Sequence, residues 1–377
     1  MMYLDHAAGT PVDSEVLAAM LPYFSEEFYN PSATYARAQQ AKKRLEQARA
    51  DVAGVLGSRT NEITFTAGGT EANNLAIRGV MQAFPGKKLV TTSIEHDSVL
   101  EPTRAVGAQF APVKPDGIVD IDALLALIDD DTVLVSVMLA NNEVGSLQPV
   151  RQLAQRLQTI RDSRRARGIT LPLYLHTDAC QAGNYLDLHV SRLGVDMMTL
   201  NGGKIYGPKQ SGVLYVRAGT QLTPQILGGG QERGRRSGTE NLAFAVGFAA
   251  ALIKAQNMRR EQSRSHEELR DYMIKLIEQQ IPGAIINGSR SNRLANNVHV
   301  TIPDSDNERV LFYLDEHGVM AAAGSACSAS NDEPSHVLRA MGASDADARA
   351  SLRFTLGRAT SRAEIDEAVR LLVEAIS

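Results

Sequence analysis

Apolar residues recur along this chain in two rhythms. Short apolar runs bounded by turn formers read as buried strands, and apolar residues three and four apart read as helices that bury one face. Strands are expected at 62–66, 88–92, 109–113, 133–138, 171–175, 195–200 and 212–216. Between them fall helical stretches. Asp13 can cap a helix that carries Val16, Leu17 and Met20, and Pro22 should end or kink it. After the break at Asn30-Pro31-Ser32 a helix runs to about residue 56, with Leu45, Ala48, Val52 and Val55 at helical spacing. Further helices are expected around Leu75, Ile77 and Val80 and over 150–165. Strand and helix in alternation imply right-handed crossovers and a mostly parallel sheet.

The pattern changes beyond residue 244. A long helical stretch over 244–279, interrupted near Gln262-Ser263, is expected to link two domains. Smaller elements follow: Tyr3-Leu4 as a short arm from the start of the chain, strands at 284–286, 297–302 and 319–322, and a helix at 308–317. The last helix opens on a capping box, Ser361 with Glu364, and buries Ile365, Val369, Leu372 and Ile376.

Candidate chemistry sits at strand ends, where open α/β sheets bind their ligands. Lys204 lies in the glycine-rich stretch TLNGGKIYGPKQ. Glycines let backbone approach a ligand closely, and a partly desolvated lysine there becomes a nucleophile toward a carbonyl. A surface lysine in a glycine loop would use the same residues. Asp178 closes LPLYLHTDACQ. Its ordinary role would be a turn or helix cap. An aspartate before a second strand that leads to a lysine is also the arrangement pyridoxal phosphate needs, one residue for the protonated ring nitrogen and one for the aldehyde. The segment 67–71, Ala-Gly-Gly-Thr-Glu, joins a strand to a helix start and offers free N–H groups to an anion. A plain connecting turn would look alike, and no Walker lysine follows.

His96 and the segment Asn141-Asn142-Glu143 also follow strands. His96 is either a ring-stacking residue or a histidine bonded within its loop. Arg233, Arg235 and Arg236 read either as a solvated loop face or as recognition of phosphate or carboxylate. Cys327, set among small and polar residues, reads as an exposed loop thiol, either incidental or a mobile nucleophile.

Composition narrows the class. A chain of 377 residues suggests two domains, and 44% hydrophobic with 22% charged residues is ordinary for a globular protein. A net charge of −4 gives no electrostatic case for nucleic acid or an anionic membrane. No apolar run reaches the roughly 18 residues of a membrane span, and MMYLDHAAGTP lacks a signal-peptide pattern. Two cysteines are too few for a disulfide framework, so a cytoplasmic setting is expected. A metal hydrolase is disfavoured, because the eight histidines show no HExxH spacing.

Taken together, the motifs YLDHAAGTP, NPS, FTAGGTEANNLAI, EH, NNEVG, HTDACQ, GGKIYGPK, GGGQERGRRSGT, GSACS and SLRFTLGR resemble those of the cysteine desulfurases. These belong to the pyridoxal-phosphate-dependent fold-type I superfamily, close to the class-V aminotransferases, and the likeness runs nearly end to end. The resemblance implies an α/β fold with a large cofactor domain over 12–255. A smaller α+β domain, made of 1–11 and 256–377, would carry the nucleophile loop. It implies Lys204 as the Schiff-base lysine, Asp178 at the ring nitrogen, Gln181 at the ring hydroxyl, and His96 as a catalytic residue that stacks on the ring and assists proton transfer. Asn142 would line the site. Gly69 and Thr70 would hold the phosphate, with Asn201 beside them and Thr239 joining from a second subunit. Asn30 and Arg353 would grip the substrate carboxylate, Arg353 in two-pronged fashion, and Cys327 would take the sulfur of L-cysteine as a persulfide.

The partners so implied are a second copy of the chain and a sulfur-acceptor protein of iron–sulfur or thiolation pathways. A selenocysteine lyase, or a non-catalytic ligand-binding or sulfur-carrier protein on the same fold, would share these parts. The chain departs from the family at Asn201-Gly202-Gly203-Lys204, where Ser-Gly-His-Lys is usual, and at Gln231 and Tyr35, where many relatives carry histidine. It ends at Ser377, short of the tail that some relatives use to dock a scaffold protein.

Overall fold

Seven strands form the central sheet of the computed structural model, which describes residues 1–324 and 333–377. Their order is Ile63–Thr66, Gly212–Val216, Met197–Asn201, Tyr174–Asp178, Thr132–Ser136, Lys88–Thr92 and Gln109–Ala111. The last five run parallel, and Gly212–Val216 pairs antiparallel with both its neighbours. The expected mostly parallel α/β sheet is therefore present. Its inner strands Thr132–Ser136, Met197–Asn201 and Gly212–Val216 are buried on both faces, which is why they appear in the sequence as apolar runs rather than alternating ones.

Helix Gly69–Ala83 covers one face through Leu75, Ala76 and Val80. The helices Ala36–Leu56, Val150–Ala166 and the first part of Leu242–Gln280 pack into the larger cluster on the other side. A separate apolar cluster joins Leu4 to residues between 273 and 372. It is built on the antiparallel strands Ile285–Ile286, Asn297–Thr301 and Ser351–Thr355 and on helices Asn307–Glu316 and Arg362–Ile376. Among the described residues no helix is long and apolar enough to cross a membrane.

Two expectations change, and one strand was not expected. The strand expected at 171–175 lies at Tyr174–Asp178, three residues later. Pro172 has no N–H for a ladder, whereas His176 and Thr177 are wholly buried despite being polar. His176 is accommodated by Ser136 at 2.8 Å and Thr199 at 3.0 Å. The interruption near Gln262-Ser263 does not exist, because Leu242–Gln280 is one helix of 39 residues. Polar residues on its inner face find partners across it: Ser263 donates to Tyr185 O and His266 meets the Tyr185 hydroxyl. Strand Ser351–Thr355 was not assigned from the sequence, although Leu352 and Phe354 alternate with polar residues; it is buried throughout and carries Arg353.

Candidate active site

The site is assembled at the carboxyl ends of the parallel strands. Lys88–Thr92 leads to His96, Thr132–Ser136 to Asn142, Tyr174–Asp178 to Cys180 and Gln181, and Met197–Asn201 to Lys204. These side chains converge on one cavity of about 160 Å³. Gly69, Thr70, Asn201 and Arg353 complete its walls, and Ala7 and Ala8 reach in from the N-terminal segment.

The Lys204 amine donates to Ala7 O and Ala8 O, both at 2.7 Å. Its backbone is set by a 3₁₀ turn, Gly202–Lys204, whose Gly203 N–H donates to Asn201 Oδ1 at 3.0 Å. No room exists for a side chain at Gly202, where a Cβ would meet Ser211 Oγ at 2.1 Å. The Asp178 carboxylate accepts from the Cys180 N–H at 2.9 Å and from Asn73 Nδ2 at 2.8 Å. Gln181 donates to Ala7 O at 3.0 Å. Desolvation, helped by the adjacent Asp178, pushes the Cys180 thiol well above its ordinary value, so it stays a neutral packing group.

Helix Gly69–Ala83 opens at the cavity without a side-chain cap. Gly68 adopts φ 134°, which favours glycine, and a Cβ on Gly69 would lie 2.7 Å from Cys180 Sγ. The first-turn N–H groups of this helix have no intrahelical acceptor and are suited to an anion. Asn201 Nδ2 lies 3.5 Å from the same Cβ position, so an amide stands beside that helix start. Its Oδ1 is already engaged by Gly203, which leaves the NH₂ as the free donor end.

Arg353 is buried under the cavity at 2% exposure. It donates to Asn142 O at 2.9 Å and to Asp5 Oδ1 at 2.7 Å, while its Nε is buried with no partner. A two-pronged clamp is thus not preformed; Nε is the donor left open. Asn30 is not brought to the cavity: it is exposed, and its Oδ1 accepts from the Ser32 N–H at 2.9 Å. Thr239 is exposed and lines a different cavity, together with Phe65, Gln210 and Phe244. Cys327 lies outside the described residues.

Within one chain the arginine run is bonded to neighbouring segments, and Arg233 is exposed. Arg236 pairs with Glu71 at 2.9 Å, Arg233 with Glu46 at 3.2 Å, and Arg235 donates to Asn61 O at 3.0 Å. All three fasten the loop to its own chain, and none lines the Lys204 cavity.

Sequence reasoning missed Asp5, Asn73 and Ser98. Asn73 had a signal. It stands on the buried stripe of its helix with Ala76, Ile77 and Val80, where a polar residue needs a partner. Asp5 and Ser98 had none, because their partners are distant or belong to a loop histidine.

The donor set fits pyridoxal phosphate. One amine, one carboxylate with its oxygens held by two donors, one imidazole and one uncapped helix start line a single cavity. Comparison with known proteins agrees. The profile of the aminotransferase class-V family matches residues 2–368. The cysteine desulfurase IscS of Dictyoglomus turgidum is 39% identical over 378 residues, covering 98% of this chain and 93% of its own. A NifS-like protein of known structure superposes with a TM-score of 0.89 at 32% identity, over 99% of this chain and 98% of that one. SspA, solved in complex with cysteine, superposes at 0.80 with 34% identity, over 94% and 99% of the two chains. The chain belongs to the class-V aminotransferase family and, within it, to the pyridoxal-phosphate-dependent cysteine desulfurases.

Proposed function

We propose that this chain converts L-cysteine to L-alanine and passes the sulfur to Cys327 as a persulfide, for onward transfer to an acceptor protein. The observation that carries the reading is the convergence of Lys204, Asp178 and His96 on one cavity with an uncapped helix start in its wall. Relatives named as cysteine desulfurases, and one solved with cysteine, support the substrate.

Bound in this cavity, the cofactor supplies an electron-poor ring that stabilises negative charge at the substrate α-carbon. Asp178 keeps the ring nitrogen protonated by placing a carboxylate beside it. His96 would stack on the ring and assist proton transfer, and Gln181 would bond the ring hydroxyl. The N–H groups at Gly69 and Thr70 hold the phosphate, with the Asn201 amide donating from the side and Thr239 added by a second subunit. Lys204 would anchor the cofactor through its amine and would serve as the base that takes the substrate α-proton. Asn142 and Arg353 orient the substrate, with Arg353 Nε gaining in the substrate carboxylate the acceptor it now lacks. Asn30 would add to this grip only if its exposed turn closes over the cavity.

The Cys327 thiolate attacks the substrate sulfur. An S–S bond forms and the Cβ–S bond breaks with its electron pair left on carbon; a proton taken up at Cβ and the return of the α-proton to Cα then complete alanine. Separate packing of the cluster over 16–255 and of the cluster that joins Leu4 to 273–372 supports a large domain at 12–255 and a small one at 1–11 and 256–377. A homodimer is supported by exposed apolar side chains at Leu21, Phe24, Phe28 and Leu227, and by the distance of Thr239 from its own chain's cavity. The proposed compartment is the cytoplasm.

The test is an absorption spectrum of the purified protein before and after L-cysteine, with alanine and sulfide assayed and selenocysteine run in parallel. The parent should be yellow, respond to cysteine and release alanine. Lys204→Ala should lose turnover and the borohydride-fixed cofactor label, and Cys327→Ser should keep the spectral response but lose sulfide. Alanine release from selenocysteine alone, or from neither substrate, would overturn the reading.

A further inference from the structure

A chain of hydrogen bonds joins Asp178 to His96 through Asn73 and Ser98, two residues to which sequence reasoning assigned no role. Asn73 Nδ2 donates to Asp178 Oδ2 at 2.8 Å and to Ser98 Oγ at 2.9 Å. Both protons of the amide are therefore used. Ser98 Oγ lies 2.8 Å from His96 Nδ1, and the Ser98 backbone N–H donates to the same Nδ1 at 3.0 Å. Asn73 is wholly buried, Ser98 is 9% exposed and Asp178 7%.

Each link has one allowed direction. A backbone N–H only donates, so Nδ1 of a neutral His96 is the acceptor and the ring proton sits on Nε2. Asn73 turned the other way would set its carbonyl oxygen against the Asp178 carboxylate, so the carboxylate selects the amide orientation. With Asn73 donating to Ser98 Oγ, the hydroxyl proton is free to point at Nδ1. The Asp178 charge thereby fixes the Asn73 amide, the amide fixes the Ser98 hydroxyl, and the hydroxyl joins the backbone in holding one imidazole tautomer.

We propose that Asn73 and Ser98 are positioning residues of the desulfurase site, and that their relay holds His96 as the Nε2–H tautomer, oriented from the same carboxylate that serves the cofactor ring. The proposal rests on the desulfurase reading for its kinetic consequence, but not for the tautomer itself. The role of such a relay is to keep the ring and the carboxylate in one register while substrate enters and product leaves. Losing it would leave His96 Nδ1 held by the Ser98 backbone N–H alone, so the ring would turn over or populate the other tautomer more readily, with the side chain still present.

The experiment uses the holoenzyme labelled with ¹⁵N-histidine, with the His96 resonances identified from a His96→Gln control. The parent should report a protonated Nε2 and an unprotonated Nδ1. Ser98→Ala should add Nδ1-protonated tautomer and lower kcat with cysteine by about tenfold to a hundredfold, the scale of a displaced acid–base group. KM should change by less than about threefold, since no substrate contact is lost. Ser98→Thr restores the hydroxyl and should recover both readouts. Asn73→Asp, which sets a second carboxylate against Asp178, should disturb the tautomer by the same route and serves if Ser98→Ala fails to fold. A parent-like tautomer and kcat in a folded Ser98→Ala protein would overturn the relay. Should the parent itself release no alanine, the desulfurase reading fails, while the tautomer measurement still decides the relay.

Discussion

At the scale of single residues, burial decides chemistry that residue type leaves open. Glu95 follows the same strand as His96 and is wholly buried. Desolvation raises its carboxyl from 4.5 to about 8, opposed only partly by the Met138 N–H at 2.9 Å and the Thr92 hydroxyl at 2.7 Å, both bonded to Oε1. Its Oε2 has no partner. The carboxyl is thus a neutral acid at pH 7. Below pH 4.5 folded and unfolded chains both carry the proton. Between 4.5 and 8 the unfolded chain has released it while the folded chain retains it, so stability falls as pH rises and the loss is complete above 8. Glu95→Gln keeps the Oε1 acceptor and cannot ionise. Urea melts at pH 5 and pH 8.5 should show the variant gaining on the parent by about 2–4 kcal/mol across that range. Equal pH dependence in the two proteins would mean that Glu95 ionises freely. Lys204 and Asp178 illustrate the converse: their types were informative in the sequence, but what holds them, Ala7, Ala8 and Asn73, was not.

At the scale of elements, one buried ion pair ties a loop to a helix. Arg49, on Ala36–Leu56, meets Glu232 through two bonds of 2.6 and 2.8 Å, and both side chains are 3% exposed. Glu232 also accepts from the Phe65 N–H at 2.9 Å, and the Arg49 guanidinium lies 5.0 Å from the Phe65 ring centre. Glu232 and Arg233 have φ of 49° and 59°, a left-handed geometry that side chains other than glycine rarely adopt. The pair keeps the loop in that shape, and the loop runs on to Thr239. Glu232→Ala leaves Arg49 buried with its main partner gone, which costs about 3–5 kcal/mol. Thermal and urea unfolding should register that loss. Limited proteolysis should cut first between residues 228 and 238; an unchanged cleavage pattern would show that the loop is held by its other arginines. Gln231, which stands where relatives carry histidine, accepts from the Gly238 N–H at 2.8 Å and so works on the shape of the same loop.

At the scale of the whole molecule, the proposal draws each site from two copies of the chain. Lys204 lies in the cavity and Thr239 of the same chain lies elsewhere. If Thr239 serves the partner, mixing Lys204→Ala with Thr239→Ala chains creates one site that has both residues. Mixed dimers should then show about half the parent's activity, with parent-like cofactor affinity, although each variant alone is impaired. Sedimentation should give a dimer for all three proteins. No complementation on mixing would place the phosphate grip within one chain.

The sequence by itself determined the class of this protein and the chemistry of its site. Buried parallel strands must be apolar on both faces, so the runs at 88–92 and 195–200 stood out, and reactive residues had to follow their ends. What only the tertiary structure decided were the contacts between residues far apart in the chain. Pairing of Arg353 with Asp5, seating of Lys204 on Ala7 and Ala8, and the path from Asp178 through Asn73 to Ser98 all depend on the sheet bringing distant segments together. Periodicity records which face of an element is buried, because solvent exclusion acts on each residue locally. A hydrogen bond is directional and needs one named partner, and the identity of that partner exists only once the chain has closed around it.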